Sequence, residues 1–456
     1  MSLPPARPVR RRTLLGSGIA VGALVPLATV TTPAGAATHQ RLATASGDKP
    51  AVARAVRFLA AVTDAHHTTG PRLAQSYCDG SGLDDIAFVY DNALALIALL
   101  AAGDVRHARA IGDALLFAQS HDETFTDSRL RQAYHADTFV NGAGTEKETA
   151  HFGWEFGLVG TAVGDMAWAG IALAQLARKT GVAAYRQGTL AIGRWIHENT
   201  YSDDGLGGYT FGETADLTEH KSTEHNIDVY AYFRLLAKLT GDSTWTARAA
   251  HAWAFVTRVW NADDGYFWTG SDDGTKINQT PAQRPLDVQT WSWLAAAKPG
   301  YAAALDWAAG NLATTDTPVR ANSALTGHQS VRGVAFASGS LTTDTETTIG
   351  NLDYTPKPDD CAVWFEGSAQ LTVALRDRGH AGDAAAAADL LTQLRFAQRE
   401  LGRGQVFGGA RVEGGIVAAS SPMDTGFQFG YFANLHVGAT AWYVFAATGT
   451  NPYWYL

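Results

Sequence analysis

Lys221-Ser-Thr-Glu224-His225-Asn-Ile-Asp228-Val-Tyr-Ala-Tyr-Phe-Arg-Leu-Leu-Ala-Lys-Leu-Thr240, followed by Gly241, reads as one helix with a polar mouth and an oily shaft. Ser222 or Thr223 supplies a cap, and Glu224 and Asp228, four apart, share a face. The remaining positions are apolar on almost every side, as in a helix packed inside a larger protein. Titratable groups are therefore gathered in the first turn, and packing groups fill the rest.

The same design recurs on both sides of this stretch. Upstream, Tyr90-Asp91-Asn92 opens the oily run 93–102, and Gly164-Asp165 opens another at 166–178. Downstream, oily segments start at Asp287-Val-Gln289-Thr-Trp291, at Asp359-Asp360-Cys361 and near Leu435-His436. Between them lie wetter segments with helical periodicity, at 51–62, 104–119, 182–198, 243–260, 301–312 and 382–400. Two runs, Asp203-Asp204-Gly205 through Gly212 and Asp263-Asp264-Gly265 through Gly270, echo each other as a turn and short strand. Six oily helices alternating with six amphipathic ones satisfy their burial as six hairpins closed in a ring, oily helices inside. The irregular repeat, with long loops at 120–163 and 313–358, does not suit an open solenoid. The expected fold is all-α, a single (α/α)6 toroid over 51–456 with a few short strands in rim loops, and its candidate chemistry lies on one rim.

The first 36 residues read as a targeting segment. Arg10-Arg11-Arg12 precedes Leu14-Leu15, an uncharged Gly/Ala/Val/Leu run and Ala34-Gly35-Ala36, the pattern of a twin-arginine export signal. Residues 37–50 are a flexible lead. The Gly-rich run, interrupted by Pro26, is a poor membrane span, and no later segment reads as one. Without the signal, 31 basic residues face 44 acidic ones, a balance of −13. That surface argues against nucleic acid and anionic membranes as partners. Cys78 and Cys361 leave a single disulfide open outside the cell, and no Cys-x-x-Cys pair supports a structural zinc site. No obligatory cofactor is expected; Asp272-Asp-Gly-Thr-Lys-Ile-Asn278 lacks the spacing of a calcium loop and reads as a turn.

Tyr90-Asp91-Asn92-Ala-Leu-Ala, Ser222-Thr-Glu-His-Asn-Ile-Asp228, Trp364-Phe-Glu-Gly367 and His436-Val-Gly-Ala-Thr-Ala-Trp442 resemble the bacterial six-hairpin glycosidase-like superfamily. The resemblance spans nearly the whole chain beyond the signal. It implies a sugar bound across the open end of the barrel, with acids or histidines on inner helices and loops. Glycoside hydrolases, some polysaccharide lyases and sugar 2-epimerases share this plan.

Glycoside hydrolysis needs a proton donor and a second carboxylate. Glu224 is the expected general acid, being long enough to reach from the rim and too close to Ser222 and Thr223 for a capping box. Asp91 or Asp165 is the expected base, although Asp165 reads equally well as a cap. Asp287 and Asp360 read as caps, where a carboxylate meets the helix amides. Substrate contacts are expected from Asp228, His225, Tyr90, Trp154, Gln289, Trp291, Trp364, Glu366 and His436; the three tryptophans read as stacking platforms or, taken singly, more readily as core packing. Glu366 is placed about one and a half turns inside a helix starting at Asp360, where it must be paired or protonated. The expected reaction is hydrolysis of an oligo- or polysaccharide. An epimerase would use His225, His151 or His436 as base, and a lyase would need arginines that the inner-helix starts lack. A glycan-binding toroid without chemistry is the reading from a different class.

Overall fold

Helices that are apolar around their whole circumference have no face to give to water, so they must be surrounded. Among the described residues, six helices are buried on nearly every side: α2 (Val89–Ala102), α4 (Val163–Thr180), α6 (Thr223–Thr240), α8 (Asp287–Ala296), α10 (Phe365–Arg378) and α12 (Val437–Thr448). In the computed structural model, which describes residues 48–122, 124–137, 160–213, 217–349 and 356–455, they pack in the order α2, α4, α6, α8, α10, α12 and back to α2. The amphipathic helices form the outer layer: α1 (Lys49–Thr63), α3 (Val105–His121), α5 (Ala183–Thr200), α7 (Thr244–Arg258), α9 (Ala303–Asn311) and α11 (Asp383–Glu400). Each of α3, α5, α7, α9 and α11 packs on the inner helix before it, and α1 packs on α12. The result is the (α/α)6 toroid, with short two-stranded ribbons in the connections. No described helix is long and apolar enough to cross a membrane.

Five inner helices stop at a glycine in the left-handed conformation, Gly103, Gly181, Gly241, Gly379 and Gly449. This is the stop signal the sequence offers, because only glycine takes that conformation without penalty. The exception is α8, which ends at Ala297 with φ of 47°.

The inner helices start where they do for a common reason. In α2, the Asn92 side chain accepts from the Ala74 N–H (2.8 Å) and donates to the Ala74 carbonyl (3.0 Å) and to the Phe88 carbonyl one turn back (2.9 Å). Asn226 of α6 does the same with Tyr209 (2.8 and 2.9 Å) and Ser222 (2.8 Å). Gln289 of α8 repeats it with Phe267 (2.8 and 2.9 Å) and Pro285 (3.0 Å). In α10 and α12 a hydroxyl takes over. Ser368 accepts from the Val334 N–H (3.2 Å) and donates to the Trp364 carbonyl (2.8 Å). Thr440 accepts from the Ile416 N–H (2.9 Å) and donates to the His436 carbonyl (2.7 Å). In α4 the Met166 thioether faces the Leu130 N–H at 2.9 Å. Each inner helix thus fastens an incoming segment by its backbone, whose polar groups would otherwise be buried without partners. The two echoing turn-and-strand runs are the segments carrying Tyr209 and Phe267.

Two expectations change here. The fifth inner helix begins at Phe365, not at Asp359-Asp360. Trp364 is extended, bridging the backbones of Val334 and Ala419, so the helix cannot start earlier. Asp360 accordingly caps nothing and pairs with Arg320. Cys78 and Cys361 are both free thiols.

Candidate active site

Counting from the fastening residue aligns the six inner helices. Two positions before it stand Tyr90, Gly164, Glu224, Asp287, Glu366 and Gly438; one position before it stand Asp91, Asp165, His225, Val288, Gly367 and Ala439. One turn deeper on the face of the first set come Leu94, Trp168, Asp228, Trp291, Gln370 and Trp442. The polar mouth and the tryptophan floor below it are therefore successive layers of one repeated register. Glu366 belongs to the mouth as the second residue of α10, not to the shaft.

The floor is aromatic. Trp168 and Trp291 meet edge to face with centroids 5.4 Å apart, Trp291 stacks near-parallel to Trp442 at 6.1 Å, and Tyr90 and Tyr453 close around them. Trp291 is thus a buried floor residue, the packing role and not that of a rim platform. Trp364 is also buried, under Phe336 (4.8 Å) and Tyr431 (5.7 Å). The partly exposed Tyr431, with the exposed Phe429 beside it, takes the place expected of Trp364. Trp154 and His151 lie outside the described residues. Gln289 is fully occupied in fastening Phe267, so its amide does not face the mouth.

On one side of the mouth the carboxylates are tied together. Tyr90 donates to Glu366 Oε1 at 2.6 Å and accepts from the Trp442 indole at 2.9 Å. Gln370, a turn below, donates to the same Glu366 oxygen at 3.3 Å. His436 lies with Nε2 3.1 Å from Asp91 Oδ2, while Nδ1 accepts from the Ala439 N–H at 3.3 Å and is 3.7 Å from Glu366 Oε2. These partners assign the ring proton to Nε2. Tyr77 stacks on the imidazole at 4.3 Å, only 8° from parallel. Space for this group comes from Gly438, where a Cβ would stand 2.6 Å from Asp91 Oδ1 and 2.8 Å from Glu366 Oε2.

On the other side are Glu224, Asp228, Asp287 and Asp165. Burial drives the Glu224 carboxyl well above the usual carboxylate range, and Asp287, Asp228, Asp165 and Glu366 reinforce the shift. Asp228 is also pushed well up, first by burial, although Tyr453 donates to its Oδ1 at 2.6 Å. The Trp168 indole favours the charged form of Asp228 but lacks hydrogen-bond geometry, so Oδ2 has no partner among the described residues. Burial carries Asp165, Asp287 and Glu366 each to about 7. For Asp165, a Gln132 hydrogen bond opposes the shift; for Glu366, His436 and Tyr90 do. Glu224 and Asp165 keep partial exposure, whereas Asp91, Asp228, Asp287 and Glu366 are buried.

Asp287 was hidden by its local role. Its Oδ1 does accept from the Val288 N–H (2.7 Å), as a cap residue would. Its place two before the Gln289 amide nevertheless puts it in the layer of Glu224 and Glu366. That alignment was the available signal. His225 is buried against Phe211 and beside Gly164, with Nδ1 unpartnered, and burial lowers it to about 3.

Such an arrangement can present a protonated carboxyl and an ionised one across a sugar, above an aromatic floor. No family model matches the sequence, and no curated protein matches it. Solved structures of the same architecture include a variant glycosidase in complex with glucose (TM-score 0.55, 12% identity, 90% of this chain and 99% of that chain). A family 76 α-mannanase from Bacteroides thetaiotaomicron is similar (TM-score 0.51, 10% identity, 88% and 96% of the two chains). So is a D-mannose isomerase (TM-score 0.56, 10% identity, 90% and 99%). At these identities the likeness is one of fold alone, a ring of six helical hairpins.

Proposed function

We propose that the chain is an exported glycoside hydrolase acting on an oligo- or polysaccharide at the open end of the ring, with Glu224 as general acid. The observation carrying this reading is the place of Glu224, partly exposed in the first turn of α6 at the ring's mouth, where burial and the neighbouring Asp287, Asp228, Asp165 and Glu366 push its carboxyl well above the usual range. A leaving glycosidic oxygen needs such a donor near neutral pH. Asp165, partly exposed on the adjacent helix and pushed up by burial to about 7, is the proposed base. Asp91 holds His436 at one side of the mouth. Tyr431 and Phe429 offer faces for a sugar ring. The glycosidase and mannanase folds favour a carbohydrate substrate, and Arg10-Arg11-Arg12 favours export through a twin-arginine route.

Isomerase chemistry fits the histidines less well. His225 is held neutral to about 3, which makes it a feeble base, and His436 is engaged at both nitrogens. The test is a panel of α- and β-glucans, mannans, galactans and uronate polymers, incubated with wild type and Glu224→Gln. New reducing ends that disappear in the variant support hydrolysis by Glu224. Unsaturated uronate products would make the protein a lyase. Binding without any product would make it a glycan-binding toroid.

A further inference from the structure

Residues 450–455, which follow the Gly449 stop of α12, run across the ends of three inner helices opposite the mouth. Gln175 of α4 donates to the Pro452 carbonyl at 2.7 Å. The Asn451 amide and the Trp454 indole both donate to the Leu294 carbonyl at 2.9 Å, in the last turn of α8 where no intrahelical donor remains. The Tyr455 hydroxyl donates to the Leu235 carbonyl of α6 at 2.9 Å. Arg178 lies over the Tyr455 ring at 4.6 Å and Arg234 over the Trp454 ring at 4.7 Å. This tail is therefore held firmly on α4, α6 and α8.

One side chain of the tail reaches the acids of the mouth. Tyr453 is buried with its ring against Trp168 at 4.7 Å, and its hydroxyl donates to Asp228 Oδ1 at 2.6 Å. Asp228 stands four residues after Glu224 on one face of α6, where side chains a turn apart are neighbours. The two acids form a pair, and they are unequally served. Facing Asp228 are Asp287 from α8, Asp165 from α4 and the Tyr453 phenol, and the phenol alone of these three favours its charged form. Facing Glu224 are Asp287, Asp228, Asp165 and, from α10, Glu366; no hydrogen bond is among the leading influences on it. The Tyr431 and Tyr453 phenols also lie within the field of Glu224. When two neighbouring carboxyls resist ionising together, the one that accepts a hydrogen bond gives up its proton first.

From this geometry we infer that Tyr453 is a positioning residue: its hydroxyl makes Asp228 the member of the pair that ionises, and so keeps the proton on Glu224. The inference rests on Glu224 as general acid and adds the group that decides where the proton sits. The proton that Asp228 gives up goes to solvent, and no covalent bond to carbon changes. A tail anchored opposite the mouth thereby takes part in the chemistry at the mouth.

Infrared pH titration of the wild type, Tyr453→Phe, Asp228→Asn and the double variant tests this without a substrate. The neutral-carboxyl band that Glu224→Gln removes from each background marks the Glu224 proton. In Tyr453→Phe, Asp228 keeps its own proton to higher pH and repels Glu224 less. The Glu224 band should then vanish about one pH unit lower than in wild type. Asp228→Asn should move it in the same direction, and adding Tyr453→Phe to Asp228→Asn should move it no further. With a glycan that the wild type cuts, the high-pH limb of kcat/KM should shift alongside, which lost packing alone does not produce. An unmoved band in Tyr453→Phe overturns the inference. A further shift in the double variant overturns it too, because the hydroxyl then acts by another route. Melting curves report folding; should Tyr453→Phe not fold, an unmoved band in Asp228→Asn overturns the inference instead. A band that moves as expected while no glycan is cut upholds the proton assignment and overturns the hydrolysis reading.

Discussion

The Tyr90 hydroxyl sits 2.6 Å from Glu366 Oε1, joining the second residue of α2 to the second residue of α10 past the intervening α12. This hydrogen bond favours the ionised form of Glu366 against its burial. Tyr90→Phe should therefore raise the Glu366 pKa and move the corresponding limb of the pH–rate profile to higher pH. A hydrogen bond to a charged group contributes about 1.5–3 kcal/mol, so kcat/KM should fall by about 10- to 100-fold. An unmoved profile would separate Glu366 from the chemistry.

Three variants divide the acid roles. Glu224→Gln should lower kcat by about 100- to 10,000-fold, the range for loss of a general acid. Asp165→Asn should cost a comparable factor. Glu366→Gln should cost less, acting on sugar contacts and KM. A reversed order, with Asp165→Asn mild and Glu366→Gln severe, would make Glu366 the second carboxylate.

Stability should depend on pH in an unusual direction. Asp165, Asp287 and Glu366 reach about 7 when folded, against about 4 for free carboxylates. The native state therefore binds more protons than the unfolded chain between these values, and stability drains away as pH rises through them. His225, lowered to about 3, works the other way and loses stability as pH falls below about 6.5. Three carboxyls, joined by the raised Glu224 and Asp228, outweigh one imidazole. The melting temperature should be higher near pH 5 than near pH 8, and Asp287→Asn should narrow the difference. A flat or inverted wild-type profile would refute this balance.

Gly438→Ala places a methyl group against Asp91 Oδ1 and Glu366 Oε2, without backbone strain at a helical position. Both carboxylates must move, but they are side-chain ends. Activity should drop at least tenfold while the melting temperature changes by only a few degrees. Equal loss of both would mean that the glycine serves packing alone.

Ala297 ends α8 in the left-handed region that its five counterparts give to glycine. Ala297→Gly relieves a strain of about 1 kcal/mol, partly offset by the freer unfolded chain. Denaturant midpoints should rise slightly, and a fall would refute the strain.

Much of the ring was legible because burial speaks through composition. The runs around 93–102, 166–178, 223–240 and 437–446 are oily on all sides, and the glycines that stop them are visible as such. Acids at the helix mouths were legible for the same reason, since Glu224 and Asp91 stand out at the head of apolar runs. What misled was local chemistry with two meanings. Asp359-Asp360 looks like a helix start, but an extended Trp364, held between two strangers in sequence, delays the helix to Phe365. Gln289 and Trp291 look like rim residues, yet one is consumed by the Phe267 backbone and the other lies a turn too deep. The pairing of His436 with Asp91 spans 345 positions, and no local pattern announces it.

Because α1 packs on α12, the hairpin that closes the ring unites an early helix with a late one. Most other hairpins are made of neighbours in sequence and can assemble as the chain emerges. The contacts between Asp91 and His436, and between Tyr90 and Trp442, must wait for α12. Closing such a long loop is slow and comes late. Until then the acids of α2 and α10 have no histidine between them, so a chain halted before its last helix is a stack of hairpins with no working mouth.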